Sequence, residues 1–486
     1  MKRGLLVVLC ALAWAPAAHA GGPALLLGTA EDDVKGPTLV AANTNMRLAR
    51  LAGHQAVRMT ALWGPGKTAS TALERKLLGN AASAARLNGM TVFLAVHNVG
   101  SRFTPLTEEA RTEFARYAAS LARSFPTFRN IIVGNEPNIN RFWMPQYNLD
   151  GSDAAAPGYL ALLAKTYDAL KAVSRRVTVI GGALSPRGAD NPSSSRHTHS
   201  PTTFITDLGD AYRESGRTKP IMDQFAIHPY QDNSSQPPSF RHPNTRTISI
   251  SDYPKLVGLL GRAFNGTGQA GSTLPIVYAE YGVESVVPAS KARRYTGKEL
   301  ATVKPVSAET QGAYYRQAIQ IAFCQPNVRA MLLFLTFDDK NLAGWQSGAY
   351  YVDRTPKSNL GTIRRATEES RRGVVNRCEG LELDVEAKVR FPLAADLRPG
   401  RQPVLRLQCD IDCDYVLRLE KLPRRSVTQV LRGRAIGGQK ATRVKLPPLR
   451  LAPGIYRYAL QLIAAVNRGE PKIIASRPLR ITRGST

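Results

Sequence analysis

Between Ala24 and about Asn341 the chain repeats one pattern eight times: a short apolar, β-branched run followed by a longer amphipathic stretch. The runs are Ala24–Gly28, Ala56–Thr60, Thr91–Val96, Asn130–Val133, Val177–Gly181, Gln224–Ile227, Ile276–Ala279 and Met331–Phe337. A strand that is apolar along its whole length must be covered on both faces, and parallel strands joined by helices achieve that. Eight such units closing on themselves predict an α/β fold, a (β/α)8 TIM barrel. Two of the covering helices are legible directly. Thr107 to Phe125 opens on Thr-Glu-Glu and carries an apolar stripe through Ala110, Phe114, Tyr117 and Leu121, and Ala308 to Phe323 behaves the same way.

Past Cys378 the helical period disappears. Short alternating runs take over at Leu381–Val389, Val404–Gln408, Tyr415–Leu419, Arg443–Leu446, Tyr456–Ile463 and Ile473–Ile481, separated by Gly, Pro and charged turns. They predict a small C-terminal all-β sandwich. The expected division is therefore a leader over 1–20, a catalytic barrel over 21–378 and an accessory sandwich over 379–486. The sandwich lacks an obvious aromatic strip, so bracing the barrel is its expected role, ahead of carbohydrate binding or surface docking.

Met1-Lys2-Arg3, an apolar run to Trp14 and the small-residue stretch Ala17-Ala18-His19-Ala20 form a signal peptide pattern with cleavage near Ala20. The run is too short for a membrane span, which needs roughly 20 residues. A secreted or periplasmic, monomeric protein is expected. Cys10 as a lipid attachment site is disfavoured by the bulky Leu9 before it. Beyond the leader, Cys324, Cys378, Cys409 and Cys413 remain, and an even number in an exported chain favours two disulfides. Cys409 and Cys413 suit a tight local loop, leaving Cys324 with Cys378. A zinc site is the alternative, but the Cys-x3-Cys pair has no neighbouring second pair or His. The formal charge of +28 is spread along the chain. It suits an acidic or cell-wall-associated glycan, or it reflects an Arg-rich composition with no ligand meaning. No nucleic-acid-binding motif accompanies it.

The active site of such a barrel lies at the C-terminal ends of the strands. Asn135-Glu136-Pro137 follows the fourth run, and Glu280 follows the seventh within Ile276-Val277-Tyr278-Ala279-Glu280-Tyr281-Gly282. Strands four and seven face each other across the mouth. Two carboxyls there can cleave a glycosidic bond, one protonating the leaving oxygen while the other attacks the anomeric carbon. Either acid alone reads as a solvated loop-end Glu. As a pair ending two buried strands, they are costly unless used or paired.

Asn-Glu-Pro after the fourth strand, with Glu280 in a Tyr-Ala-Glu-Tyr-Gly context, resembles clan A of the glycoside hydrolases, which includes the cellulase-like family 5 and family 39. The resemblance covers Ala24 to roughly Lys357 and excludes the sandwich. It implies a retaining glycosidase acting on an oligo- or polysaccharide, with Glu136 as acid/base, Glu280 as nucleophile, and no cofactor or metal. It further implies that Arg58 holds the nucleophile, that Asn135 binds a sugar 2-hydroxyl, and that His228 and Tyr230 stand against acid/base and nucleophile respectively. These families carry a Trp at the end of strand eight, where this chain has Phe337-Asp338-Asp339; Trp345 is the candidate that folds back into that place.

His97, His97's neighbour Asn98, and Trp63 are further substrate-binding candidates at the rim, and Trp143 is a weaker one. Asp32, Asp33, Asp338 and Asp339 read as charge-balancing or subsite residues, with Glu284 the reserve nucleophile. His197-Thr198-His199 falls in a Ser-rich loop after strand five with no acidic partner nearby, so ordinary loop histidines are expected rather than a metal site. The rival function is a catalytically inactive glycan- or cell-surface-binding protein on the same fold. Transglycosylation by the same residues is a third possibility.

Overall fold

A computed structural model of the chain describes residues 21–375, 378, 385, 387–397, 402–409, 413–435, 441–448, 451–464 and 470–482. The expected leader and most of the Leu381–Val389 run lie outside these residues. Eight parallel strands close in chain order: β1 (Leu26–Ala30), β2 (Ala56–Trp63), β3 (Thr91–Asn98), β4 (Asn130–Val133), β5 (Thr178–Leu184), β6 (Gln224–Ile227), β7 (Ile276–Tyr281) and β8 (Val328–Phe334). Helices α1 (Leu39–Leu51), α2 (Ala72–Leu87), α3 (Glu108–Ser124), α4 (Ala155–Val173), α5 (Pro201–Glu214), α6 (Tyr253–Phe264), α7 (Ala308–Phe323) and α8 (Leu360–Arg371) form the outer ring. The fold is the (β/α)8 barrel the repeats predict.

Alternation along the strands divides the core into two layers. Ala56, Phe93, Ala95, Ile132, Ile180, Ala226, Val277, Ala279, Ala330 and Leu332 fill the barrel interior. Val57, Met59, Leu94, Val96, Ile131 and Val133 point outward and pack in the larger cluster with the helices. Helix starts are fixed by side chains: Thr38, Thr71, Thr107, Ser200 and Ser307 each accept a hydrogen bond from a backbone N–H in the first turn.

Strand β8 departs from expectation. It starts at Val328 and stops at Phe334, before the Phe337 expected from the apolar run. The N–H groups of Thr336 and Phe337 donate to Glu31 Oε2 at 3.1 and 3.2 Å. A side chain at the end of β1 thus takes the bonds that a continued ladder would use, and residues 337–339 belong to a loop.

The C-terminal part is all-β, as expected. One antiparallel sheet has the order β13 (Thr442–Lys445), β10 (Val404–Cys409), β9 (Ala387–Arg390). The other runs β12 (Ser426–Ala435), β11 (Cys413–Leu422), β14 (Gly454–Ala464), β15 (Lys472–Ala475), with β16 (Leu479–Ile481) also paired to β14. Strand β12 has no counterpart in the apolar pattern, because it is an edge strand whose side chains are mostly exposed. The cysteines are joined as Cys324–Cys378 and Cys409–Cys413, with Cα separations of 5.3 and 6.5 Å. Among the described residues no helix is long and apolar enough to cross a membrane.

Tyr159 of α4 ties the ends of β4 and β5 together. Its buried hydroxyl donates to Val133 O and accepts from Gly182 N, both at 2.7 Å. Tyr159→Phe leaves both backbone groups unpaired in a dry interior and is expected to cost roughly 1–3 kcal/mol. Denaturant unfolding of the two proteins measures this, and equal stabilities exclude a role for that hydroxyl.

Candidate active site

The barrel mouth is organised around Arg58 in β2. Val57 and Met59 face the helices, so Arg58 points inward, where it is only 4 % exposed. Its Nη1 donates to Glu280 Oε1 at 2.5 Å and its Nη2 to Asn135 Oδ1 at 2.8 Å. The second Glu280 oxygen, Oε2, accepts from the Tyr230 hydroxyl at 2.9 Å. His228, fully buried after β6, places Nδ1 3.0 Å from Glu136 Oε1 and 3.5 Å from Glu280 Oε2. Six of the residues singled out from sequence, Arg58, Asn135, Glu136, His228, Tyr230 and Glu280, therefore meet in one connected cluster.

Backbone irregularities aim the two acids. In β7, Val277 and Ala279 face inward while Tyr278 and Tyr281 pack outward, and the register to β8 shifts between Tyr278 and Tyr281. Strict alternation from Tyr278 would turn Glu280 toward the helices; the bulge turns it to the mouth. At β4, Gly134 has φ +87°, and a Cβ there would lie 2.9 Å from Tyr159 Cε2, so only glycine fits. Two residues on, Glu136 itself has φ +40°, held by its N–H donating to Ala183 O at 2.8 Å. A non-glycine residue in that region is strained by roughly 1–3 kcal/mol, a cost that clusters at functional sites.

The electrostatics separate the groups. Burial pushes the Glu280 carboxyl up, but attraction to His228 and Arg58 and hydrogen bonds from Tyr230 and Arg58 outweigh it, leaving Glu280 below the ordinary Glu value. His97, at the inward-facing end of β3, is driven down to about 4, first by burial and also by Arg58, so its ring is neutral near pH 7. The Glu284 carboxyl is pushed up to about 7 by burial and by the neighbouring acids Glu299, Asp338 and Asp339.

Beside the acids opens a cleft of about 470 Å³ whose wall includes Glu136, Arg187, Arg196, Tyr230, Glu284 and Trp345. Glu280, bonded to the wall residue Tyr230, has 13 % of its side chain exposed. Trp345 does fold back: its ring stands 4.9 Å from Tyr230, tilted 32°, and 5.3 Å edge-on to Phe334 at the end of β8. The return is fixed by Asp339, whose side chain accepts from Trp345 N at 2.9 Å and whose own N–H donates to Trp345 O. Asp338 is spent structurally, paired with buried Lys357 at 2.6 Å. Asp33 pairs with Arg354, and Asp32 accepts from Thr60 N and pairs with Lys35.

Three expectations are corrected. Trp63 is 1 % exposed, packs edge-on against Phe114 of α3 and donates Nε1–H to Lys67 O, so it faces the helix layer and not the mouth. Parity explains this: with Arg58 inward, every odd residue of β2 points out. Trp143 is likewise buried, against Tyr159. His199 does have acidic partners: Asp207, two turns along α5, and Asp153, which the segment before α4 brings from 46 residues upstream. The cleft residues Arg187 and Arg196, in the loop after β5, were missed; their one sequence signal is a position downstream of a strand end.

No protein-family model matches this chain, and no curated protein does. Similarity comes from solved structures. A family 39 glycoside hydrolase from the gut symbiont Bacteroides cellulosilyticus WH2 superposes with a TM-score of 0.52 at 16% identity, over 84% of this chain and 79% of that one. A glucosidase from Croceicoccus marinus superposes at 0.51 with 10% identity, over 95% and 97%. A family 5 protein from Streptomyces cattleya, solved with GlcNAc, follows at 0.47 and 16%, over 71% and 80%. In fold, the chain resembles the clan A glycoside hydrolases to which its Asn-Glu-Pro and second Glu pointed.

Proposed function

We propose that the chain is a retaining O-glycoside hydrolase, with Glu280 as nucleophile and Glu136 as acid/base. The observation that carries the reading is the shared imidazole: one nitrogen of His228 lies 3.0 Å from a Glu136 oxygen and 3.5 Å from a Glu280 oxygen. Two carboxyl oxygens that share one neighbouring atom at those distances stand at most about 6.5 Å apart, which favours the roughly 5–5.5 Å of retaining enzymes over the roughly 6.5–9.5 Å that admits a water in inverting ones. Glu280, kept ionised by Arg58 and Tyr230, attacks the anomeric carbon; Glu136 protonates the leaving oxygen, then takes a proton from the water that releases the sugar. Asn135, fixed by Arg58, is oriented for the sugar 2-hydroxyl, and Trp345 offers an apolar face for the ring in the adjoining subsite.

Arg187 and Arg196 on the cleft wall, with the +28 formal charge, favour an acidic or cell-wall-associated glycan. The leader pattern and the disulfides favour action outside the cytoplasm. The rival of an inactive glycan-binding barrel draws its support from the missing strand-eight Trp, and Trp345 in the cleft wall speaks against it.

Glu280→Ala is expected to abolish hydrolysis of an activated aryl glycoside, with added azide restoring turnover to a glycosyl azide of inverted configuration. Hydrolysis at wild-type rate in that variant sinks the assignment.

A second prediction concerns the charge on Glu280. A depressed folded-state pKa means its stabilising contribution is present above the unfolded value of 4.5 and lost as pH falls through the lower folded value. Replacing Arg58 by Met removes one depressing charge while burial remains. Carboxyl NMR titration is expected to give a midpoint below 4.5 in the wild type and a higher one in the variant. An unchanged midpoint contradicts the role given to Arg58.

A further inference from the structure

Beside the loop that follows Glu136, three residues from two segments converge. Asp153 precedes α4, and its Oδ1 accepts from the Ala155 and Ala156 N–H groups at 2.6 and 3.0 Å. Its other oxygen, Oδ2, is buried and has no hydrogen-bond partner, and only 9 % of the side chain is exposed. Asp207 on α5 faces Asp153 within hydrogen-bonding range, two acceptors with no donor between them. His199, 2 % exposed, puts Nε2 3.3 Å from Asp153 Oδ1 and 2.9 Å from Gln146 O, while its Nδ1 is buried and unpartnered. Gln146, whose backbone oxygen meets the imidazole, leaves its side-chain Oε1 buried and unpartnered too.

We propose that Asp153, His199 and Asp207 bind a divalent cation of the zinc class, which braces the loops after β4 and β5. One ligand atom from each of the three lies within 4.8 Å of the others. Ligands held about 2.1 Å from one ion stand about 3.0–3.4 Å apart, which is the spacing of the imidazole from the carboxylate and the carbonyl. One imidazole and two carboxylates form a borderline set suited to zinc, with the Gln146 carbonyl within reach as a further oxygen. The competing state is a proton shared by the two carboxyls, since burial and then Asp153 push Asp207 up to about 7. A shared proton joins one pair of carboxyl oxygens, whereas an ion held by His199 Nε2 draws the imidazole and both carboxylates together and meets the two acids that have no donor between them.

The place suits a brace. His199 N donates to Asn138 O at 2.8 Å, Asn138 Nδ2 returns a bond to His199 O at 3.0 Å, and Gln146 Nε2 donates to Pro137 O at 3.0 Å. These are the two residues that follow Glu136. The three ligands are positioning residues, outside the catalytic cluster, and the site stands whether or not the barrel mouth hydrolyses glycosides.

The test uses tag-free full-length protein, stripped with EDTA and then equilibrated with zinc chloride alone. About one zinc per chain is expected to survive gel filtration by elemental analysis, with a rise in melting temperature, and Asp207→Asn is expected to lose both. X-ray absorption at the zinc edge of the wild type, which needs no variant, is expected to show one imidazole and an oxygen-dominated shell. Failure of the wild type to retain zinc, or equal retention in Asp207→Asn, overturns the proposal. So does a zinc-independent melting temperature that falls as pH rises through 7 and loses that dependence in Asp207→Asn, because that result identifies a shared proton.

Discussion

A guanidinium buried at the barrel mouth is the constraint on which the candidate site depends. Arg58 is almost entirely withdrawn from water, and a cation in that position is tolerated only with its charge met. Glu280 from β7 meets the charge and Asn135 from the end of β4 takes a second donor. Strands that are not neighbours in the ring are thereby tied across its centre. The same carboxylate then orients Tyr230, and His228 links it to Glu136. Removing any member leaves another buried polar group without a partner, so these side chains act as one unit.

The backbone makes that unit possible by breaking its own rules in two places. A bulge in β7 turns Glu280 inward against the parity of its strand. A left-handed glycine followed by a left-handed Glu136 swings the opposing acid off the end of β4, with the Tyr159 hydroxyl pinning the neighbouring strand ends. Both devices cost stability locally, and the closed sheet with its two packed layers supplies the surplus that tolerates them.

Much of this was legible beforehand. The eight apolar runs located every strand of the barrel, because a buried parallel strand must be apolar throughout, and residues just past the runs included both acids, Asn135, His228 and Tyr230. The errors came from features that have no one-dimensional signature. Strand β8 ended early because Glu31, some three hundred residues away, captured its next N–H groups. Edge strand β12 was silent because exposed strands carry no apolar pattern. Trp63 was misplaced although the parity set by Arg58 already pointed it outward.

The order of strands, the class of the fold and the identity of the opposed acids follow from local composition and period, since burial on both faces leaves its mark on each residue in turn. What only the folded chain decided is mutual geometry: that His228 reaches both carboxyls, that a loop held by Asp339 returns Trp345 to the cleft, and that Asp153 and Asp207 close on His199. Most of these contacts join segments far apart along the chain, and their distances are set by strand tilt, bulges and helix packing, quantities that no single stretch of sequence encodes.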